Sequence, residues 1–178
     1  MSYFIDIQNA FADAGNHIEL PNNSTIERWA TAALQANQRN EAELTIRITD
    51  ANEVQQLNNE YRGKNKPTNV LSFPFADSLP PGIALDAPLL GDIVICHEVV
   101  QSEAAAQGIS YADHFAHLVI HGTLHLLGFD HIEESEAVAM ETLEAQLLAQ
   151  FGIANPYAGE AQPNSSGKNT TTTHSRSE

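Results

Sequence analysis

Cysteine is almost absent from this sequence, and positive charge is absent from more than half of it. Cys96 is the only cysteine, so no disulfide can form within the chain, which favours a reducing compartment. No lysine or arginine occurs from Pro67 to Gly167, a stretch that contains thirteen Asp and Glu residues. With a net charge of −15, the protein should repel polyanions at long range. If the protein binds phosphate, the positive cluster of Arg62, Lys64 and Lys66 and a bound metal must supply most of the attraction.

Long apolar segments are also missing. The N-terminal segment MSYFIDIQNA has no basic flank and contains Asp6, unlike a signal peptide. The run from Phe115 to Phe129 is too short to span a membrane and carries three histidines. We therefore expect a cytoplasmic protein with no membrane partner. The length of 178 residues, 42% of them hydrophobic, is typical of one globular domain with a real core.

Periodic patterns predict an α+β fold, a small mixed sheet of about four strands packed with about five helices. Strands are predicted at 3–7, 44–48, 70–73 and 93–96. Helices are predicted at about 24–37, from a cap at Thr49 or Asp50 to Gly63, and at roughly 97–107, 111–127 and 133–151. Ser24 and Glu27 have the spacing of a capping box. We expect residues 1–155 to form the domain and residues 156–178 to be a polar, disordered tail.

The most informative feature is a group of histidines late in the chain. His121 and His125 are four residues apart, so in a helix both rings project from one face. Gly128 can end that helix and turn the chain, so that His131 reaches the same ion from another direction. Three neutral nitrogens with one open position are typical of a catalytic zinc site. The sequence therefore predicts one zinc ion bound by His121, His125 and His131.

Other histidines and one glycine refine this prediction. His114 and His117 lie on the same stripe and are candidates for rival ligands, supporting residues or surface residues. A trio of His117, His121 and His125 would span about 12 Å of straight helix and cannot close on one ion. The spacing H-x₃-H-x₂-G-x₂-H matches the metzincin proteases, but Gly122 replaces their glutamate base. The metal geometry is kept while the base is missing, which weighs against peptide hydrolysis.

Two blocks of sequence resemble the YbeY endoribonucleases, also described as rRNA maturation factors. One block is HGTLHLLGFDH at 121–131, and the other is YRGKNKPTNVLSFP at 61–74, followed by Gly91-Asp92-Ile93. The resemblance extends from the first strand to about residue 155. This chain has Asn69 where many members have aspartate, so no role for a carboxylate is carried over to that position.

The resemblance implies a zinc-dependent, single-strand-specific endoribonuclease. It further implies action in 16S rRNA 3′-end maturation and ribosome quality control, with Arg62 as the functional arginine. Expected partners are single-stranded or ribosomal RNA and the small ribosomal subunit or its assembly factors. Two alternatives stay open: an assembly factor with a structural metal, and a metalloprotease-like hydrolase.

The chemistry of phosphodiester cleavage suits the predicted residues. Arg62 can hold two phosphoryl oxygens through parallel N–H bonds, with Lys64 and Lys66 on flanking phosphates. Arg62 can equally interact with the negative end of the helix dipole at a helix C-terminus. The two lysines can equally be solvated loop residues. Asp130 can orient an imidazole or cap the following helix. The nucleophile is either a metal-activated water or the 2′-hydroxyl of the RNA.

Overall fold

A computed structural model describes residues 2–10, 20–82, 88–130 and 132–158 of the chain. Within them lie four strands: β1 (Ser2–Asn9), β2 (Glu41–Thr49), β3 (Val70–Pro74) and β4 (Leu89–Cys96). The five α-helices are α1 (Asn23–Ala36), α2 (Ala51–Arg62), α3 (His97–Gln107), α4 (Tyr111–Leu126) and α5 (Glu134–Gln150), and a short 3₁₀ helix spans Phe75–Ser78. Among these helices none has the length and apolar character needed to cross a membrane.

The strands form one mixed sheet in the order β1-β2-β4-β3. β1, β2 and β4 run parallel, and β3 pairs with β4 in the antiparallel direction. The predicted α+β class, with about four strands and five helices, is confirmed. β3 is an edge strand, and from its position beside β4 it contacts α4, which carries the histidines.

β4 is buried on both faces, and its alternate residues pack on the two sides of the sheet. Ile93 and Ile95 belong to the main core, which also includes residues of α1, α4 and α5. Val94 and Cys96 pack in a smaller cluster with Val54 of α2. This explains why β4 is apolar at almost every position, as expected for a strand buried on both faces.

Helix α4 is the central element of the main core. It contacts α1, α3, α5, β3 and β4. Phe115, Val119, Ile120 and Leu124 are completely buried. A helix surrounded in this way is held rigidly, so the histidine stripe on its remaining side has a fixed orientation.

Gly91 is needed where β4 passes closest to β3. Its φ is +139°, and a Cβ there would lie 2.2 Å from the carbonyl oxygen of Phe73. The register of β2 and β4 also shifts at Leu89 and Gly91, as at a bulge. The glycine thus allows β3 to lie close against β4 beside α4.

The helix caps confirm one prediction from the sequence and correct another. Asp50 is the N-cap of α2, where its side chain accepts a hydrogen bond from Glu53 N, and Gly63 ends that helix with a φ of +69°. The predicted capping box of Ser24 and Glu27 is wrong, because Asn22 caps α1 and accepts from Thr25 N at 2.8 Å. Asparagine is as good an N-cap as serine, and here it precedes the serine in the chain.

Candidate metal and RNA-cleavage site

A stripe of four histidines follows one side of α4: His114, His117, His121 and His125. Neighbouring members are three or four residues apart, so their rings lie one above the next along the helix. The rings of His121 and His125 have centroids 4.5 Å apart and are nearly perpendicular, at 82°. All four residues line one large cleft of about 1350 Å³.

The two histidines of the predicted pair converge through their Nε2 atoms, which are 3.0 Å apart. His125 Nδ1 lies 2.9 Å from the carbonyl oxygen of Phe129, which can only accept, so Nδ1 carries the proton. His121 Nδ1 lies 2.5 Å from Glu144 Oε1 and donates to that carboxylate. In the neutral rings both Nε2 atoms therefore carry lone pairs, and the two atoms are only 3.0 Å apart.

This arrangement fits a metal ion. Two nitrogens bound at about 2.0–2.1 Å in a tetrahedral site are separated by about 3.3 Å, close to the observed distance between the Nε2 atoms. Ligating histidines usually donate their other N–H to a carboxylate or a backbone carbonyl, as His121 and His125 do. The third predicted ligand, His131, lies outside the described residues.

Glu144 of α5 is a fully buried carboxylate beside the histidines. Its Oε1 lies 2.5 Å from His121 Nδ1 and 3.4 Å from His117 Nε2, and its Oε2 accepts from the hydroxyl of Tyr157 at 2.6 Å. Burial raises the pKa of this carboxyl, but hydrogen bonds from His117 and His121 outweigh burial and bring the pKa to about 2. Glu144 is therefore an anion surrounded by donors.

Glu144 also belongs to a second set of groups that could hold a metal. One ligand atom each from His117, His121 and Glu144 lie within 4.8 Å of one another. The structure thus contains a His–His–Glu group able to bind a metal ion, next to the pair formed by His121 and His125. His121 belongs to both sets.

Gly122 faces the main core and does not line the cleft. It is buried, and a Cβ at this position would lie 2.9 Å from Ile93 Cγ2 in the main core. A glutamate at 122 would be directed into packed side chains of the sheet. The position that supplies the base in metzincin proteases therefore has no room here for a side chain.

Arg62, the last residue of α2, is connected to α4 through β3. Its Nη2 donates to the carbonyl oxygen of Ser72 at 2.7 Å, and its Cζ lies 5.9 Å from the ring centroid of Phe73. Ser72 Oγ in turn donates to the carbonyl oxygen of Gly122 at 3.3 Å, next to His121 in the chain. The guanidinium thus bonds to a strand carbonyl rather than to the end of its own helix, whose closing bonds come from Gly63 N.

The cleft brings together most of the described positive charges. Of the six lysines and arginines in the described residues, four line it. They are Arg39, Arg62, Lys64 and Lys66. Positive side chains and the converging Nε2 pair therefore face one cavity, although they lie far apart in the sequence.

A second carboxylate, Glu103, contacts His114 at the N-terminal end of the histidine stripe. Glu103 Oε1 accepts from Asn69 Nδ2 at 2.9 Å and pairs with His114 Nε2 at 2.9 Å. Burial raises the pKa of Glu103, but the hydrogen bonds from His114 and Asn69 outweigh it and hold the pKa below its ordinary value. Asn69 can donate to Glu103, which an aspartate at this position could not do.

Two residues at this site were not predicted from the sequence. Glu144 lies 23 positions after His121, on another helix, and Tyr157 lies beyond the predicted boundary at residue 155. Tyr157 also receives a hydrogen bond from His117 Nε2 at 3.1 Å, because its own proton goes to Glu144. Asp130, whose role the sequence left open, lines the cleft.

Comparisons with known proteins show the family to which the chain belongs. A family model described as Endoribonuclease YbeY matches residues 10–152. The chain is 50% identical over 165 residues to the Endoribonuclease YbeY of Psychromonas ingrahamii, covering 91% of this chain and 100% of that protein. It is 57% identical over 141 residues to the Endoribonuclease YbeY of Pseudoalteromonas translucida, covering 79% and 90%. The solution structure of TM1509 from Thermotoga maritima has a like fold, with a TM-score of 0.53 at 20% identity over 90% of this chain and 99% of that chain.

Fold and site together define an α+β protein with a histidine group able to hold a metal in a partly basic cleft. One family model matches residues 10–152, and two proteins named after that family are 50% and 57% identical to this chain. The chain belongs to the Endoribonuclease YbeY family.

Proposed function

We propose that this protein is a zinc-dependent, single-strand-specific endoribonuclease of the cytoplasm. We further propose that it acts in 16S rRNA 3′-end maturation and ribosome quality control, on the small ribosomal subunit or its assembly intermediates. The observation that carries the proposal is the convergence of His121 Nε2 and His125 Nε2 at 3.0 Å in the cleft lined by Arg62. Membership of the YbeY family supports the choice of RNA as substrate.

In this proposal zinc is held by His121, His125 and His131. A bound zinc ion would supply a Lewis acid that polarises a phosphoryl oxygen and lowers the pKa of a water molecule. His121 and His125 suit this role because their Nδ1 atoms donate to Glu144 and to the Phe129 carbonyl, so that in the neutral rings Nε2 carries the lone pair. The large cleft beside them leaves room for a substrate at the open side of the site.

Arg62 binds and orients the phosphate that is cleaved. A guanidinium has five N–H donors, and the bond to Ser72 uses Nη2, so other donors remain for phosphoryl oxygens. Negative charge on the non-bridging oxygens grows toward the transition state, and a fixed cation stabilises it. Lys64 and Lys66 hold flanking phosphates from the same side of the cleft.

The packing of Gly122 argues against the protease alternative. Its buried Cα faces Ile93, so no side chain at 122 can reach a substrate in the cleft. The other alternative is an assembly factor whose metal is structural. It differs from the proposal in that such a protein would not cleave RNA, which can be measured.

The test is a cleavage assay with metal analysis. The substrates are a labelled single-stranded RNA spanning the 16S 3′ end, the same RNA in a duplex, and small subunits that carry the precursor end. The enzymes are wild type, the His121→Ala/His125→Ala double variant, Arg62→Ala and Arg62→Lys. Arg28→Ala is the matched control, because Arg28 lies outside the cleft with its guanidinium over Phe151.

The proposal expects the double histidine variant to lose both zinc and cleavage. Arg62→Ala and Arg62→Lys should keep zinc and lose about 100-fold or more in cleavage, since lysine keeps the charge but not the paired donors. Arg28→Ala should resemble wild type. Equal residual cleavage by all variants would mean a contaminating nuclease, and the metal would then be structural in an assembly factor.

A further inference from the structure

The buried pair of Glu144 and Tyr157 has no place in the mechanism described so far. The Glu144 side chain is 0% exposed, and both of its oxygens are engaged. It lies on α5, while the histidines lie on α4, so its contacts connect two helices at the edge of the metal site. A buried carboxylate costs free energy unless it is hydrogen-bonded, so Glu144 depends on the donors that surround it.

We propose that Glu144 is a positioning residue, not a ligand, which holds His121 with Nδ1 protonated and Nε2 directed at the zinc ion, and that Tyr157 holds Glu144 in place. This rests on the proposed zinc site. It assigns a function to α5 and to the segment after it, neither of which contributes a predicted ligand.

The distances separate a positioning role from a ligating one. Two ligand atoms of one tetrahedral zinc ion are about 3.3 Å apart. Glu144 Oε1 and His121 Nδ1 are 2.5 Å apart, which is too close for joint ligation and is the distance of a short, charge-assisted hydrogen bond. The Nε2 atoms of His121 and His125 are 3.0 Å apart, so His121 turns Nε2, and not Nδ1, toward a shared ion.

Tyr157 fixes the orientation of the carboxylate. Its hydroxyl donates to Glu144 Oε2 at 2.6 Å and accepts from His117 Nε2 at 3.1 Å. Because His117 Nε2 donates here, this nitrogen does not have a lone pair for a metal. The three side chains therefore form a chain of donors that ends on Glu144 and leaves Oε1 facing His121.

The first measurement is zinc affinity, by competition with a chromophoric chelator. The variants are Glu144→Gln, which keeps the shape and removes the charge, and Tyr157→Phe, which removes only the hydroxyl. Glu136→Gln is the control, since it removes an exposed carboxylate from the same helix. We expect Glu144→Gln to weaken zinc binding about 10–100-fold, Tyr157→Phe to weaken it by a smaller factor, and Glu136→Gln to match wild type.

Two spectroscopic readouts distinguish positioning from a contribution to folding alone. In the metal-free protein, nitrogen–proton correlation spectra of the histidine rings should show His121 protonated at Nδ1 in wild type and partly at Nε2 in Glu144→Gln. In the cobalt-saturated protein, the visible spectrum of Glu144→Gln should match wild type, because the ligands are unchanged. A changed cobalt spectrum would make Glu144 a ligand and overturn the proposal.

Zinc affinity equal to wild type in both Glu144→Gln and Tyr157→Phe would also overturn it. A wild-type protein that binds no zinc removes the site on which both proposals rest. A protein that binds zinc with the expected dependence on Glu144 but cleaves no RNA would overturn the proposed function and leave the positioning role standing.

Discussion

At the scale of single residues, Gly122 limits the chemistry of the site by having no side chain. Its Cα packs against Ile93 in the main core, while its neighbour His121 faces the cleft. Adjacent residues on a helix point about 100° apart, so one turn carries both a histidine that faces the cleft and a packing contact. Substitution of Gly122 by glutamate would therefore bury a carboxylate and would not create a protease base.

We predict that Gly122→Ala lowers the free energy of unfolding, although helix propensity alone would raise it. Alanine is ordinarily favoured over glycine within a helix by about 1 kcal/mol. Here the added Cβ would lie 2.9 Å from Ile93 Cγ2, a branched methyl that cannot swing away, and overpacking of this kind costs about 1–3 kcal/mol. We expect the free energy of unfolding in urea to fall by about 1 kcal/mol.

A double-mutant cycle with Ile93→Ala checks the cause. Removing the Ile93 side chain leaves a cavity that the new methyl of Gly122→Ala partly fills, so the double variant should be more stable than the sum of the single effects. If Gly122→Ala is more stable than wild type, the close contact does not exist in solution.

The proximity of the His121 and His125 rings could be predicted from the sequence, whereas the contacts of Glu144 and Tyr157 with the histidines could not. His121 and His125 are one helical turn apart, and helical geometry alone brings their rings together. Glu144 and Tyr157 reach His121 only because α5 packs on α4 and the chain after α5 turns back. No local spacing encodes that packing, and an isolated glutamate in an amphipathic helix is typical of a solvated surface.

At the scale of secondary-structure elements, the C-terminal end of α2 determines the direction of the chain from Arg62 to the two lysines that follow it. Gly63 has a φ of +69°, Gly63 N donates to Asn59 O, and Lys64 N donates to Asn58 O. The bond from Gly63 N to Asn59 O is that of the αL type of helix end, which needs a left-handed residue. It turns the chain directly after Arg62 toward Lys64 and Lys66.

Gly63→Ala should therefore destabilise the protein through its backbone alone. No atom lies within 4 Å of the position of an added Cβ, so no steric contact contributes. A left-handed conformation costs an alanine about 1–2 kcal/mol, and we expect a loss of about 1 kcal/mol in the free energy of unfolding. Gly63→Asn is the matched variant and should lose less, since asparagine tolerates this conformation. Equal losses in both variants would contradict a purely conformational cause.

The ion pair between β2 and α2 predicts a dependence of stability on pH. Two hydrogen bonds from Arg47, at 2.7 and 2.8 Å, lower the pKa of Glu53 below its ordinary value in the folded state. The unfolded chain then binds a proton more readily than the folded one. The stabilisation is complete above the unfolded pKa of about 4.3 and is lost as the pH falls through the folded pKa.

Acid titration of unfolding in wild type and Glu53→Gln measures this effect. Their free energies of unfolding should differ by about 0.2–1 kcal/mol above pH 5, because both side chains are about one-third exposed. The difference should shrink below about pH 4. Glu60→Gln, an exposed carboxylate on the same helix, should show no such difference, and a similar pH profile there would assign the effect to general charge.

The elements themselves were largely predictable, and the errors have local causes. The helix predicted at 97–107 has the bounds of α3, and the strand predicted at 93–96 is the buried end of β4, which begins at Leu89. The earlier part of β4 contains Gly91 and Asp92, which weaken a strand pattern. The cap of α1 was placed on Ser24 because serine, asparagine and threonine follow one another there and only packing selects Asn22.

At the scale of the whole molecule, an acidic protein holds its few cations in one place. The chain carries a net charge of −15, yet four of the six described lysines and arginines line the cleft. The two others lie elsewhere, one of them paired with Glu53. The sequence predicted part of this arrangement from the cluster of Arg62, Lys64 and Lys66, whereas Arg39 joins them only through the fold.

Carboxylates also line the cleft, so its attraction for phosphate is limited. They are Asp77, Glu103, Asp113, Asp130, Glu141 and Glu144. The balance of charges predicts weak binding to naked RNA, with a small number of phosphate contacts. Tight binding would then require further contacts, which the small ribosomal subunit is proposed to supply.

The salt dependence of binding tests this argument quantitatively. Each phosphate neutralised on single-stranded RNA contributes a slope of about −0.7 to log K against log salt, so four cations give at most about −2.8. Lys64→Gln/Lys66→Gln should reduce the slope by about 1.4 and weaken binding at low salt, whereas Arg28→Gln should leave both unchanged. Fluorescence anisotropy with a labelled oligonucleotide, on metal-loaded protein between about 50 and 200 mM salt, measures the slope. Tight binding at physiological salt, or a slope unaffected by the two lysines, would place the RNA on another surface.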